Sequence, residues 1–210
     1  MRISIRALVV FAGLVLSTLV PAARAEQPPA GAAATPPPMS AEQQAAMQAY
    51  VKAMTPGPEH EWLASGAGHW TFKGKFWDGS GAPPTESTGT AERSMLLGGR
   101  VAMEKVVSEV MGMPFEGMGL TGYDNVTGRY WSTWNDNMTT GVMTSTGSCD
   151  RAAKLCRFEG SYSDPMSGKV KSNRMELQQI SPDEEVARSY EIGPDGKEHL
   201  TMELTYSRKR

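Results

Sequence analysis

The sequence predicts an all-β protein: an antiparallel up-and-down β-barrel of about ten strands, preceded by one or two short helices. Three observations predict it. From His69 to the C-terminus, segments of strand character follow one another at short, regular spacing, each closed by a turn signal. No helical pattern interrupts them, whereas a parallel sheet would need helical crossovers. A meander of this length also has two free edges unless it closes on itself, so closure is the favoured outcome.

The N-terminus reads differently. Arg2 and Arg6 precede an apolar run from Ala7 to Val20, which ends at Ala23-Arg24-Ala25. A charged start, a short apolar stretch and a small-x-small site describe a signal peptide over residues 1–25, cleaved after Ala25. The run is about 14 residues, short of the roughly 20 that span a bilayer; an uncleaved anchor is the alternative. Residues 26–39, rich in Pro, Ala and Gly, cannot bury a core and read as an extended, disordered linker. Residues 40–210 form the single barrel domain, which is long enough to bury a core of its own. Without Arg2, Arg6 and Arg24 the chain carries 18 basic and 23 acidic residues, a net of −5. That balance argues against nucleic acid or an anionic membrane surface as partner. No membrane span is expected after cleavage, and the location is periplasmic or secreted.

Ser40 caps a helix over Ala41 to Met54, with Gln43 completing a capping-box pattern. Ala46, Met47, Tyr50, Val51 and Met54 recur at helical spacing. Pro56 and Pro58 stop it, and a second short helix is expected over Glu59 to Ser65. The first strand, "HWTFKGKFW", closes at Asp78-Gly79. "ESTGTAERSMLL" turns at Gly98-Gly99 into "RVAMEKVVSEVM", because two successive glycines suit the positive φ values of a tight hairpin. "GMGLTGYD" turns at "NVTG" into "RYWSTWND". "GVMTSTGSC" and "LCRFEGSYS" flank a short loop, and "KVKSNRMELQQI", "EVARSYEIG" and "HLTMELTYS" complete the series.

Glycines and large aromatics interleave between Gly112 and Asp136. Gly117, Gly119 and Gly122 are expected at points where a barrel strand bends sharply. Side chains alternate across a strand, so Trp131 and Trp134 face opposite ways. We place Trp134 inside the barrel and Trp131 outside.

Chemistry-bearing patterns are sparse. The chain has no G-x-S-x-G elbow, no H-E-x-x-H, no P-loop and no dinucleotide fingerprint. Its three histidines, His60, His69 and His199, have no second ligand at metal-binding spacing. Cys149 and Cys156 flank a hairpin connection and are expected to form a disulfide in an exported chain. The 14 methionines are a stronger signal, because Met adapts to irregular apolar cavities. Candidate ligand-contacting residues are Met103, Tyr123, Trp134 and Met202 in the interior. Arg100, Glu104 and Asp136 are placed near the cavity or its mouth, with Arg100 and Glu104 on one strand face. Phe115, in the segment "GMPFEG", is a candidate lid.

In order along the chain, "TPGPEHEWL", "ESTGTAERSMLLGGR", "GMPFEGMGLTGYDN", "STWNDNMTTG", "DPMSGK" and "GPDGKEHLTMELTYSRK" resemble the bacterial family catalogued as domain of unknown function 1579. The resemblance covers Ala49 to Lys209. It implies a lipocalin-like barrel of the calycin group and no defined activity. Two positions depart from the family pattern. Cys149 stands where an aromatic residue is usual, so the cysteine pair looks like an addition suited to export. His199 stands where an apolar or aromatic residue is usual.

The leading functional reading is an exported module that binds a small hydrophobic ligand inside the barrel, with no cofactor and no assigned catalytic residue. One alternative is an enzyme on a calycin-like barrel, using a buried carboxylate or Arg100. Another is a haem binder of the nitrobindin type, with His199 as the strand histidine.

Overall fold

A computed structural model describes residues 38–193 and 195–210. The expected leader and most of the expected linker lie outside the described residues. Two helices, α1 (Ala41–Met54) and α2 (Pro58–Ser65), precede ten strands. These are β1 (Gly68–Phe76), β2 (Thr85–Leu96), β3 (Val101–Val110), β4 (Met113–Asp124) and β5 (Arg129–Asp136), then β6 (Met143–Asp150), β7 (Leu155–Asp164), β8 (Lys169–Ser181), β9 (Glu184–Ile192) and β10 (Glu198–Arg208). Every strand pairs antiparallel with its sequence neighbour, and β1 pairs with β10 to close the barrel. The predicted meander is therefore correct, and its free edges are satisfied by each other.

Strand alternation identifies the inward face. Along β6, Met143, Ser145, Gly147 and Cys149 are shielded, while Thr144, Thr146, Ser148 and Asp150 are exposed. On β1 the shielded residues are Trp70, Phe72 and Gly74, between exposed lysines. Pairing carries this parity around the barrel. Phe72 opposes Tyr206, and Trp70 opposes Ala91, which opposes Val106. Trp70, Phe72, Ala91, Val106, Ala187 and Tyr206 make the buried core, with Phe115, Trp134, Leu177 and Leu204 packed against it.

The β4 glycines make room for aromatic rings from the next strand. A Cβ on Gly117 would lie 2.3 Å from the Trp134 ring, and one on Gly122 would lie 2.5 Å from the Trp131 ring. Gly117 and Gly119 leave the space into which the inward indole of Trp134 leans. Gly122 does the same for Trp131 on the outer face. Glycine here accommodates a cross-strand ring that covers its bare backbone. This is why the sequence interleaves glycine with tryptophan, and it places both tryptophans on the predicted faces.

The β2–β3 connection also differs from expectation. It is a four-residue turn from Leu97 to Arg100, with Leu97, Gly98 and Gly99 all at positive φ (51°, 64° and 84°). Arg100 therefore sits in the turn and shares no strand face with Glu104. Its Nη2 donates to the Met54 carbonyl at 2.7 Å, which satisfies the C-terminus of α1. Asn125 reinforces that junction by donating to the Thr55 carbonyl at 2.8 Å.

Helix α2 seals one end of the barrel. Its His60 is buried and meets Tyr123 edge-on, with ring centroids 5.9 Å apart. Trp62 stands against Tyr130, whose hydroxyl donates to Glu59. Trp70 Nε1 donates to the Gly66 carbonyl at 3.0 Å, and Arg208 donates to the Ala67 and Ser65 carbonyls. The C-terminal carbonyls of α2 are thus held by the ends of β1 and β10. Cys149 and Cys156 face each other on the inner side of the β6–β7 hairpin, disulfide-bonded with their Cα atoms 4.0 Å apart. The other end of the barrel is ringed only by the turns after β1, β3, β5, β7 and β9, with no helix over it among the described residues.

Candidate functional site

The inward side chains fall into two groups. Trp70, Phe72, Tyr130, Cys156 and Tyr206 are each at most 5 % exposed. Phe76, Trp134, Met143, Phe158, Met175 and Met202 also point inward by register, yet remain partly exposed. A side chain inside a closed barrel meets solvent through interior space or, at the open rim where β1 ends at Phe76 and β6 begins at Met143, through the mouth. These residues therefore line a lumen, and the barrel's shear gives it a direction. One row of opposed residues starts at Tyr130, beneath α2, and passes through Gly147, Phe158, Met175, Ser189 and Met202 to Phe76 at the opposite rim. The walls are apolar and sulfur-rich along this climb, as a site for a small apolar molecule requires.

A second row begins at a buried charge cluster. Arg93 opposes Glu104, which opposes Gly119, Trp134 and then Met143. Arg93 Nε donates to Glu104 at 2.7 Å, and Nη1 donates to Glu185 at 2.5 Å. The guanidinium lies 4.8 Å from the Trp70 ring and 4.7 Å from the Tyr206 ring. Burial disfavours the charged guanidinium, but Glu104 first and Glu185 second outweigh it and hold the Arg93 pKa above its ordinary value. Burial also pushes the Tyr206 hydroxyl pKa up, and the nearby Glu104 charge adds to the rise. One cation thus balances two carboxylates at the helix-capped end, in a setting where removing either sign leaves a buried charge unpaired.

The residues singled out from sequence divide accordingly. Glu104, Trp134 and Met202 face the lumen. Asp136 is on the same face but serves the fold: its Oδ2 accepts from Trp134 Nε1 at 3.0 Å, and its Oδ1 accepts from the Met138 and Thr139 amides. It locks the indole over its glycines. Phe115 lies within β4 and packs on the core, so it is no lid, because the β3–β4 turn is only Met111-Gly112. Tyr123 faces inward but is covered by His60 and meets Tyr130 edge-on at 4.8 Å, away from the open half. Met103 is on the outer face, since its neighbours Ala102 and Glu104 share the inward parity. Arg100 lies outside altogether. His199 stands at the open rim, 51 % exposed, with Nε2 2.8 Å from Asp195.

Sequence reasoning missed Arg93 and Glu185. The available signal was parity: Arg93 falls in step with Gly89 and Ala91, two small residues that mark the inward face of β2. Glu185 sits in the acidic run "DEE", which reads as a solvated turn.

At the rim, Tyr162 donates to Glu191 at 2.8 Å, and Lys171 lies 3.0 Å from Asp164. Asn173 is inward and 8 % exposed; its Nδ2 is 3.3 Å from the Met143 sulfur, and its Oδ1 has no partner. On the outer surface, an open groove of about 760 Å³ runs between Trp131 and Tyr190 over a floor of Thr and Ser. Its one cation, Arg174, rests 4.1 Å from the Tyr190 ring and is fully engaged by Glu198 and Glu176. Among the described residues no group of three His, Cys, Asp or Glu is arranged to hold a metal ion, and no helix is long and apolar enough to cross a membrane.

A closed antiparallel barrel of ten strands, sealed by a helix at one end, defines the class of protein. The family described as "Protein of unknown function (DUF1579)" matches residues 55–208, and the chain belongs to that family. Among solved structures, the crystal structure of Rv2717c from M. tuberculosis is similar in fold. It has 14 % identity and a TM-score of 0.58, and the match covers 74 % of this chain and 100 % of that one. A redesigned beta barrel, b11L5F_LGL, is also matched, at 14 % identity and a TM-score of 0.40, over 70 % of this chain and 95 % of that one. Comparison with curated proteins returns no match.

Proposed function

We infer that this protein is an exported binding barrel that holds a small apolar ligand in its lumen. The observation that carries this reading is the set of inward side chains that stay partly exposed, from Trp134 and Phe158 to Met202 and Phe76. A domain that only packed its core would gain about 25 cal/mol for each Å² of apolar surface removed from water by filling that space. Wide Met and Phe walls around unfilled space suit an occupant instead. Export rests on the leader at residues 1–25 and accords with the disulfide; N-terminal sequencing of the processed chain is expected to begin at Glu26.

The catalytic alternative loses Arg100 to the turn beneath α1, and Glu185 is buried against Arg93. The haem alternative would need His199 inside, and it lies at the exposed rim. The test is a fluorescence titration with N-phenyl-1-naphthylamine, which brightens in apolar surroundings. Saturable brightening that weakens in Trp134→Ala, with the β-type far-UV spectrum kept, supports the reading. Absence of brightening with the folded wild-type protein overturns it.

A further inference from the structure

We propose that the lumen selects an apolar molecule with a positively charged, hydrogen-bond-donating head, and that Glu104 receives that head beside the Trp134 ring. This deepens the binding reading above and rests on it.

Among its charged groups the lumen presents a free carboxylate oxygen, whereas its cations are already paired. Glu104 accepts from Arg93 through Oε1 alone, and no residue among those described donates to Oε2. Its side chain is 25 % exposed although it points into the barrel, so the carboxylate meets the lumen. Arg93 is less accessible, at 15 %, and its guanidinium lies against the rings of Trp70 and Tyr206. The cation is therefore screened from an arriving ligand, and the carboxylate is presented to it. Asn173 repeats the pattern nearer the rim, with an inward amide whose oxygen lacks a partner.

Charge points the same way. Arg93 faces two carboxylates at the floor, and Lys171 faces Asp164 and Glu191 at the rim. Both of these cations are outnumbered, and Arg208, the further cation against Trp70, is taken up by the Ala67 and Ser65 carbonyls, so a carboxylate head entering the lumen would meet an excess of like charge. An ammonium would meet the opposite sign. It would also meet an aromatic face, because Gly119 stands between Glu104 and Trp134 and the indole leans over Gly117 and Gly119. A ring face beside a carboxylate is a favourable setting for a desolvated ammonium.

The test uses the mature protein loaded with N-phenyl-1-naphthylamine and two competitors of equal chain length, decylamine and decanoate, below their aggregation concentrations. Decylamine is expected to displace the probe at a concentration about tenfold or more below that needed for decanoate. Glu104→Gln, which keeps the shape and an acceptor for Arg93, is expected to remove most of that preference. Equal or better displacement by decanoate in the wild type overturns the proposal while leaving an apolar-binding lumen standing. So does a bound probe that neither competitor displaces. Failure of the probe to bind at all overturns the binding reading itself. If Glu104→Gln does not fold, the wild-type comparison still decides, because it needs no variant.

Discussion

The two ends of the barrel solve the same packing problem in opposite ways. At the helix-capped end, Trp70 and Tyr206 are buried, Arg93 is stacked and paired, Tyr130 is bonded to Glu59, and the ends of β1 and β10 satisfy α2. At the other end, Phe76, Met143 and Met202 keep part of their surface in contact with solvent-accessible space, and only turns surround them. Stability is concentrated where the barrel is sealed, and accessibility where it is open. A closed hydrogen-bonded wall permits this division, because it holds the open half in shape without a full core.

The largest expected effect is at the sealed end. Trp70→Ala should cost about 3–5 kcal/mol in denaturant unfolding, the usual loss for a buried large aromatic. Arg93→Ala should cost a comparable amount, about 3–5 kcal/mol, because it leaves Glu104 and Glu185 unpaired. Met202→Ala, in the open half, should cost less, about 1–2 kcal/mol, since much of that side chain's transfer energy is never realised. If Met202→Ala proves as damaging as Trp70→Ala, the contrast between the two ends fails.

Reduction of the Cys149–Cys156 bond should cost about 2.5 kcal/mol or less, because the closed loop is short. It is read as a lower thermal midpoint in reductant, and Cys149→Ala/Cys156→Ala should abolish the difference.

The smallest effect concerns acid. Hydrogen bonds from Ser167 first, and from Lys171, lower the Asp164 carboxyl to about 2. A folded pKa below the unfolded value stabilises above pH about 4, and that contribution is lost as the pH falls from about 4 to about 2. Protection from amide exchange in the β7–β8 turn, relative to the intrinsic rate at each pH, should fall over this window, and Asp164→Asn should flatten the change.

Much of the fold was legible in the sequence because turn signals and strand alternation are local. The meander, both helices, the faces of Trp131 and Trp134, and the cysteine pairing all follow from spacing within about a dozen residues. What escaped depends on pairing between distant segments. Arg93 meets Glu185 across 92 positions, through closure of β1 on β10 and β9. Met103 and Phe115 were misplaced because strand bounds fix parity and turn length, and an error of one residue reverses a face. Arg100 was misread for the same reason: Leu97 adopts positive φ and lengthens the turn past the glycine pair. The glycines of β4 were recognised as special, but their reason, the indoles packed over them, is visible only once the partner strand is in register.

The most direct test of an accessible lumen in the open half is methyl NMR on protein labelled at its methionine methyls, with N-phenyl-1-naphthylamine bound. Met143, Met175 and Met202 point inward, whereas Met103 and Met118 lie on the outer face. Contacts from the naphthalene protons to the three inward methyls, with none to Met103 or Met118, are the predicted result. Contacts confined to the outer methyls, or bound probe with no methionine contact at all, would contradict it.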